Sequence, residues 1–148
     1  MAEIKYKSNP DFGFWIGCYL TKTLLRSGFF DGIDRIVPVP LHPIKQWQRG
    51  FNQAERIAAG ISHVSGIPLE IDLLQRVRAN STQTKKGLYD RWINTKEIFS
   101  ITNPQQWEQS HILLVDDVLT TGSTLESASQ TLSKIVDLKL SILTLAIA

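Results

Sequence analysis

Two hydrophobic rhythms alternate along this chain: short continuous apolar runs, and apolar residues at helical spacing. Over 12–27 the spacing predicts a helix with Phe14, Leu20, Leu24 and Leu25 turned inward and Gly28 as its stop. Residues 34–39 read as a buried strand, with Ile36, Val37 and Val39 as its apolar members, running into a turn built on Pro38, Pro40 and Pro43. A second helix is predicted over 52–65. Asn52 serves as its cap, Glu55 sits at the third position, and Ala54, Ile57, Ala58 and Ile61 share a face. After a turn over 66–68, residues 69–74 predict another strand. The stretch 76–96 fits neither rhythm; it is polar, rich in Lys, Arg, Thr and Asn, and longer than an ordinary connection, which fits either a disordered, solvated loop or a functional lid. Residues 97–102 predict a short returning strand before a turn at Asn103-Pro104, and 138–148 an apolar strand closing the chain. Residues 1–11 are polar and ill-defined, with Pro10 marking a boundary. Strands alternating with helices predict an α/β fold with a mainly parallel central sheet, in one domain over 1–148.

The chain is organised around 112–124, ILLVDDVLTTGST. Ile112, Leu113, Leu114 and Val115 predict a strand buried on both faces, and Asp116 and Asp117 fall where it would surface. A helix follows from Ser123, with Leu125, Ala128, Leu132 and Ile135 on one face and Ser123 and Glu126 spaced as a capping box. A strand, a hydroxyl-rich turn and a helix N-terminus together make a phosphate-holding device, because the first amides of a helix have no internal partner. Thr120, Thr121, Ser123 and Thr124 add hydroxyl donors, and Gly122 permits close backbone approach or a positive φ. The carboxylates would repel an adjacent phosphate; they suit sugar hydroxyls, or a divalent cation held directly or through its water. A ribose 5-phosphate offers both groups in the right order.

Composition narrows the setting. The chain has 148 residues, 43% of them hydrophobic and 20% charged, so one domain can bury a core without staples. A net charge of +2 does not by itself mark a nucleic-acid surface. With Cys18 as its single cysteine the chain forms no internal disulfide and no cysteine-built zinc site; an apolar setting predicts a packed thiol. No apolar run approaches the roughly 20 residues of a membrane helix and no signal peptide is visible, so the expected location is cytoplasmic.

A hydrophobic strand, two acids and then Thr-Gly-x-Thr closely resembles the phosphoribosyl-pyrophosphate motif of type I phosphoribosyltransferases. VPVPLHP followed by RGFNQA narrows the resemblance to the ComF family, the competence-associated and GntX-like phosphoribosyltransferase-domain proteins. The lid agrees: STQTKKGLYDRWINTKEIF is similar to that family's pattern at Gln83, Leu88, Arg91, Asn94 and Phe99, with Ile98 replacing the usual small residue. Members often carry a four-cysteine zinc ribbon upstream; its absence here fits a short member or a domain cut at its edge.

The resemblance implies a three-layer, Rossmann-like type I phosphoribosyltransferase fold with a flexible hood loop. It implies a ligand, phosphoribosyl pyrophosphate or a nucleotide, gripped along Val115, Asp116, Asp117, Val118, Leu119, Thr120, Thr121, Gly122, Ser123 and Thr124. The Pro-rich turn would contribute Pro40, Leu41, His42 and Arg49, with Lys45 as a further cation, and the lid would contribute Lys85 and Lys86. Asp116, Asp117 and Arg91 would be the catalytic set, the two acids also serving Mg²⁺. Three functions stay open: transfer of the phosphoribosyl group to a nitrogen acceptor, ligand sensing without turnover, and a competence or DNA-uptake role with the fold as an interaction module. In the last, Lys45, Arg49, Lys85, Lys86 and Arg91 could touch single-stranded DNA. Oligomeric state is not legible.

Overall fold

The structure, a computed structural model, describes residues 9–77 and 98–148. The lid expectation beyond Val77, including Lys85, Lys86 and Arg91, lies outside the described residues. Helix α1 spans Pro10–Leu24, and a single 3₁₀ turn, Leu25–Ser27, carries it to Gly28, which takes φ 76. The chain then passes through β1 (Arg35–Pro38), α2 (Pro43–Arg49), α3 (Gln53–Ser65), β2 (Leu74–Arg76) and β3 (Phe99–Ile101). It ends with β4 (His111–Leu119), α4 (Ser123–Leu132) and β5 (Lys139–Ile147).

β4 is the middle strand of a parallel sheet ordered β1-β4-β5, with Arg35 opposite Ile112 on one side and His111 opposite Lys139 on the other. Its side chains alternate between two cores. Ile112 and Leu114 pack with Val37, Phe99, Trp107, Leu125 and Leu132. Leu113 and Val115 pack with Phe30, Ile36, Ile57, Ile61 and Leu143 on the opposite face. This is the expected α/β layering about a parallel sheet.

Local readings shifted in four places. The strand expected over 69–74 reduces to one parallel bridge, Leu69 to Ile36; the regular strand begins at Leu74 and pairs antiparallel with β3. Pro68 has no amide to give a ladder, and the Glu70 carboxylate takes the Asp72 amide at 3.1 Å, turning the backbone away. The Pro-rich turn runs into α2, a helix the periodicity did not predict, with Pro43 as its first residue and Gly50 at φ 80 closing it. Ser123 is the first residue of α4 rather than its cap; Gly122 at φ 81 holds that position with no side-chain cap bond, so the capping box does not form. Finally, Asp116 and Asp117 surface where expected, after four buried residues, but the strand does not end near them. β4 continues through them because β5 is equally long and runs beside it to the pairs Asp116–Thr144 and Leu119–Ile147.

The inward face of α1 is the expected one only in part: Leu20 and Leu24 pack against the core and Phe14 is half-buried. Leu25 is 44% exposed, and the buried positions are Gly13, Gly17, Cys18 and Thr21. The cause is close approach of two helices: a Cβ on Gly17 would collide with the Ile57 carbonyl, and one on Gly60 with the Phe14 carbonyl, with Cys18 N only 2.9 Å away. Thr21 and Cys18 are satisfied in this contact, Thr21 donating to Gly17 O at 2.7 Å and the Cys18 thiol to Gly60 O at 3.6 Å. Among the described residues no helix is long and apolar enough to cross a membrane. Gly60→Ala tests the seam. Helix propensity alone would stabilise the variant by up to about 1 kcal/mol, but overpacking against backbone costs about 1–3 kcal/mol or more. A lower urea midpoint is therefore expected; an unchanged or raised midpoint would mean that the helices are not in backbone contact.

Candidate functional site

The carboxyl end of β4 carries the two acids out of the core. Val115 is fully buried and its carbonyl accepts the Val39 amide at 2.8 Å, so its side chain belongs to the core rather than to the surface of the site. Asp116 and Asp117 are half-buried. Each carboxylate accepts the next backbone amide, Asp117 N–H to Asp116 Oδ1 at 2.9 Å and Val118 N–H to Asp117 Oδ1 at 2.8 Å. These bonds orient the carboxylates and leave lone pairs for a ligand. Val118 is exposed, whereas Leu119 tucks partly against the core.

Beyond Leu119 the turn presents Thr120 and Thr121 to solvent, and Thr121 Oγ1 lies 3.0 Å from Ser123 Oγ. Gly122 is required by its backbone, not by crowding: a Cβ there would meet only Leu119 Cδ1 at 3.6 Å, but φ 81 disfavours any L side chain. This left-handed step aims the start of α4 at the turn. The Ser123 amide reaches Thr121 Oγ1 at 3.4 Å, and the amides of Thr124 and Leu125 have no acceptor among the described residues. Unpaired amides and hydroxyls at a helix start favour an oxyanion.

The Pro-rich turn faces the neighbouring carboxyl end, since Pro38 lies opposite Val115. Its residues Pro38, Pro40, Leu41 and Pro43, with Gln46 of α2, form one wall of a cavity of about 240 Å³; Glu55, Asp72, Gln75 and Arg76 also line it. His42 caps α2, its Nδ1 accepting the Ile44 amide at 3.2 Å, which leaves Nε2 as the open ring nitrogen. Lys45 and Arg49 are exposed on α2. The structure thus brings Pro40 and Leu41 to a cavity beside the acids, while Arg91, Lys85 and Lys86 fall outside the described residues.

Arg76 links the cavity to the acids, and sequence reasoning passed over it by counting it into the lid. Its guanidinium stacks 5.5 Å from the Phe99 ring centroid across the β2–β3 pair. Burial lowers its pKa, and the charge of Asp116 opposes that effect. Asp116 is pushed up to about 6, first by burial and then by the charge of Asp117; the Asp117 amide and Arg76 pull it down. The available signal was Arg76 two residues after the buried Leu74, at the end of a strand whose register the sequence placed too early.

The raised Asp116 pKa has a definite sign in stability. The unfolded carboxyl titrates near about 4, so the native state holds the proton more tightly. Its stabilising contribution is complete below that value and is lost as pH rises through about 6. Asp116→Asn should therefore exceed the parent in stability at pH 7.5, by about 1–2 kcal/mol after screening at a half-exposed site, and the difference should shrink towards pH 4. Urea melts of the ligand-free proteins at both pH values measure it; a gap that widens on acidification would reverse the assignment.

No profile of a known protein family matches the chain. Over 103 residues, 69% of its length, it is 38% identical to competence protein F of Haemophilus influenzae, and it covers 45% of that protein. It is 39% identical over 99 residues to the DNA utilization protein YhgH of Salmonella typhi, covering 67% of this chain and 43% of the relative. The chain thus spans less than half the length of these relatives. Among solved structures it is similar to glutamine phosphoribosylpyrophosphate amidotransferase from B. subtilis complexed with ADP and GMP. That match covers 90% of this chain and 26% of the other at 18% identity, with a TM-score of 0.60, and speaks for the fold alone. The chain is a homologue of the competence protein F and YhgH proteins, built on the type I phosphoribosyltransferase fold.

Proposed function

We propose that this chain binds phosphoribosyl pyrophosphate with Mg²⁺ through the turn between β4 and α4, and transfers the phosphoribosyl group to a nitrogen acceptor. The observation that carries this reading is the succession Asp116, Asp117, Gly122 and the unpaired α4 amides at one strand end, on a fold shared with a phosphoribosylpyrophosphate amidotransferase. In open α/β sheets ligands bind beyond the carboxyl ends of strands, where β1 and β4 both deliver their turns.

The residues divide the work by charge. The hydroxyls of Thr120, Thr121, Ser123 and Thr124 and the free amides hold the 5-phosphate, a remote anchor whose binding energy positions the anomeric carbon. Asp116 and Asp117 accept hydrogen bonds from the ribose hydroxyls, and their negative charge favours the oxocarbenium-like ring that develops as pyrophosphate departs. Among the described residues no group of three or more His, Cys, Asp or Glu could hold a metal ion. Two carboxylates fit Mg²⁺ brought with the ligand, since that ion keeps waters and takes further oxygens from phosphates. When bound, Mg²⁺ supplies charge neutralisation at the leaving pyrophosphate.

A second reading rests on the relatives' names and on α1. Trp15 is 66% exposed and Tyr19 75%, one turn apart on a helix, with Lys22 following on that face. Such rings and cations suit single-stranded DNA, each stacked base contributing about 1–3 kcal/mol. The fold would then act in competence or DNA utilization as an interaction module.

Two measurements separate these readings. Calorimetric titration of phosphoribosyl pyrophosphate should show Mg²⁺-dependent binding that Asp116→Asn with Asp117→Asn abolishes while the thermal transition persists; normal affinity in that double variant would refute the ribose assignment. In fluorescence anisotropy with a labelled oligothymidylate, the second reading expects binding that falls with salt and drops at least tenfold in Trp15→Ala with Tyr19→Ala. No binding near physiological salt would remove it.

A further inference from the structure

The sheet is open on the side of β5. Among the described residues β5 has β4 as its single neighbour, so the order β1-β4-β5 ends in an unpaired edge of 9 residues. The Lys139 amide donates inward, to Ser110 O at 2.9 Å, and the pairing with β4 is continuous from His111–Lys139 to Asp116–Thr144. Backbone groups alternate in direction along a strand, so the N–H and C=O groups of Leu140, Ile142 and Thr144 face outward. From Leu140 to Ile147 the strand reads LSILTLAI, without a charge, a proline or a glycine. Charges, prolines and bulges are the devices that keep sheet edges from pairing with other chains, and this edge has none of them.

We propose that β5 is a self-association edge, at which two copies of this chain pair antiparallel about a two-fold axis at Ile142. Self-association here requires neither of the ligand readings above. Three observations select a second copy as the occupant. First, the outward residues are self-complementary. With the axis at Ile142, Leu140 pairs with Thr144 of the second copy and Ile142 with Ile142, so all three outward sets of backbone groups find partners. Second, the side chains are open to it. Ile142, on the same face as Leu140 by strand alternation, is 45% exposed and Ile147 is 80% exposed, so the described helices leave the edge uncovered there. Pairing brings the two Ile142 side chains together over the axis, a cross-strand contact that removes apolar surface from water. Third, an uncharged run offers no charge to favour a strand of different composition, and a second copy brings an equally uncharged one, so no ion loses its water. Lys139 falls opposite Leu145 of the second copy at the end of the pairing, where its ammonium stays in solvent.

The pairing makes one continuous sheet ordered β1-β4-β5-β5-β4-β1. Its two halves run antiparallel, so the carboxyl ends of β4 open at opposite ends of the sheet and neither acid pair lies at the seam. A single strand edge is smaller than the roughly 800 Å² per partner of a standard stable interface, so the association is expected to be weak, in the micromolar range.

The test follows the full chain by sedimentation equilibrium from low micromolar to near-millimolar protein, with backbone amide exchange read by NMR at both ends of that range. A monomer–dimer equilibrium is expected. The Leu140, Ile142 and Thr144 amides should exchange at least tenfold more slowly at high concentration, while those of Ser141 and Leu143, which face β4, stay unchanged. Ile142→Lys sets like charges against each other at the axis and should weaken the dimer at least tenfold, as should Ile142→Glu. An equimolar mixture of the two variants should associate at least tenfold more tightly than either alone, a recovery that misfolding cannot produce. A parent that stays monomeric, a dimer that leaves exchange of the three amides unchanged, or a mixture that does not associate would each overturn the assignment. Protection of those amides that is independent of concentration would overturn it as well, because the edge would then be covered without a second copy.

Discussion

The fold depends on burying β4 completely. Ile112 to Val115 have no measurable exposure, their side chains fill both cores, and the strand is hydrogen-bonded to β1 on one edge and β5 on the other. A strand in that position cannot slip: a shift by one residue would exchange the two faces and break both ladders. Such rigidity gives the carboxyl end its use. Asp116 and Asp117 emerge at a fixed height, and Gly122 turns the chain once, so that α4 starts over the same point. Chemistry that requires placement to a fraction of an ångström benefits from being built on such a strand.

Around this strand the structure separates charges that would otherwise interfere. The acids sit before the turn and the unpaired amides after it, so the hydroxyl and phosphate ends of the proposed ligand would meet opposite polarities in sequence. Burial makes ionisation of Asp116 costly, and the Asp117 amide and Arg76 moderate that cost. A protein selected for stability alone would not keep two adjacent carboxylates half-buried and hold Asp116 with a raised pKa. Such an arrangement accords with the binding role proposed for the two acids.

The other face is held differently. α1 and α3 meet through glycines, backbone against backbone, and this contact brings the start of α1 against the start of α3, where Arg56 donates to Pro10 O at 3.1 Å. The small-residue seam leaves Trp15 and Tyr19 on the outer side of α1, which explains their exposure on a helix otherwise anchored to the core. The two readings proposed for this chain therefore rest on two separate surfaces, the β4–α4 turn and the outer face of α1.

The sequence by itself determined the α/β class, the identity of the central strand, the glycine after it and the helix beyond, because these follow from periodicity and local backbone preference. Asn52 is one example: its side chain caps α3 through the Ala54 amide at 3.1 Å, as the local pattern predicts. Tertiary structure decided what depended on partners. β4 outruns its apolar stretch because β5 pairs with it through Leu119, and the inward face of α1 is its glycine face because α3 approaches so closely. Residues 69–74 keep only the Leu69–Ile36 bridge to the sheet, and Leu74–Arg76 pair with β3 instead. That exchange brings Arg76 to the acids, a juxtaposition no local pattern encodes, because it joins residues 40 positions apart through strand pairing and burial alone.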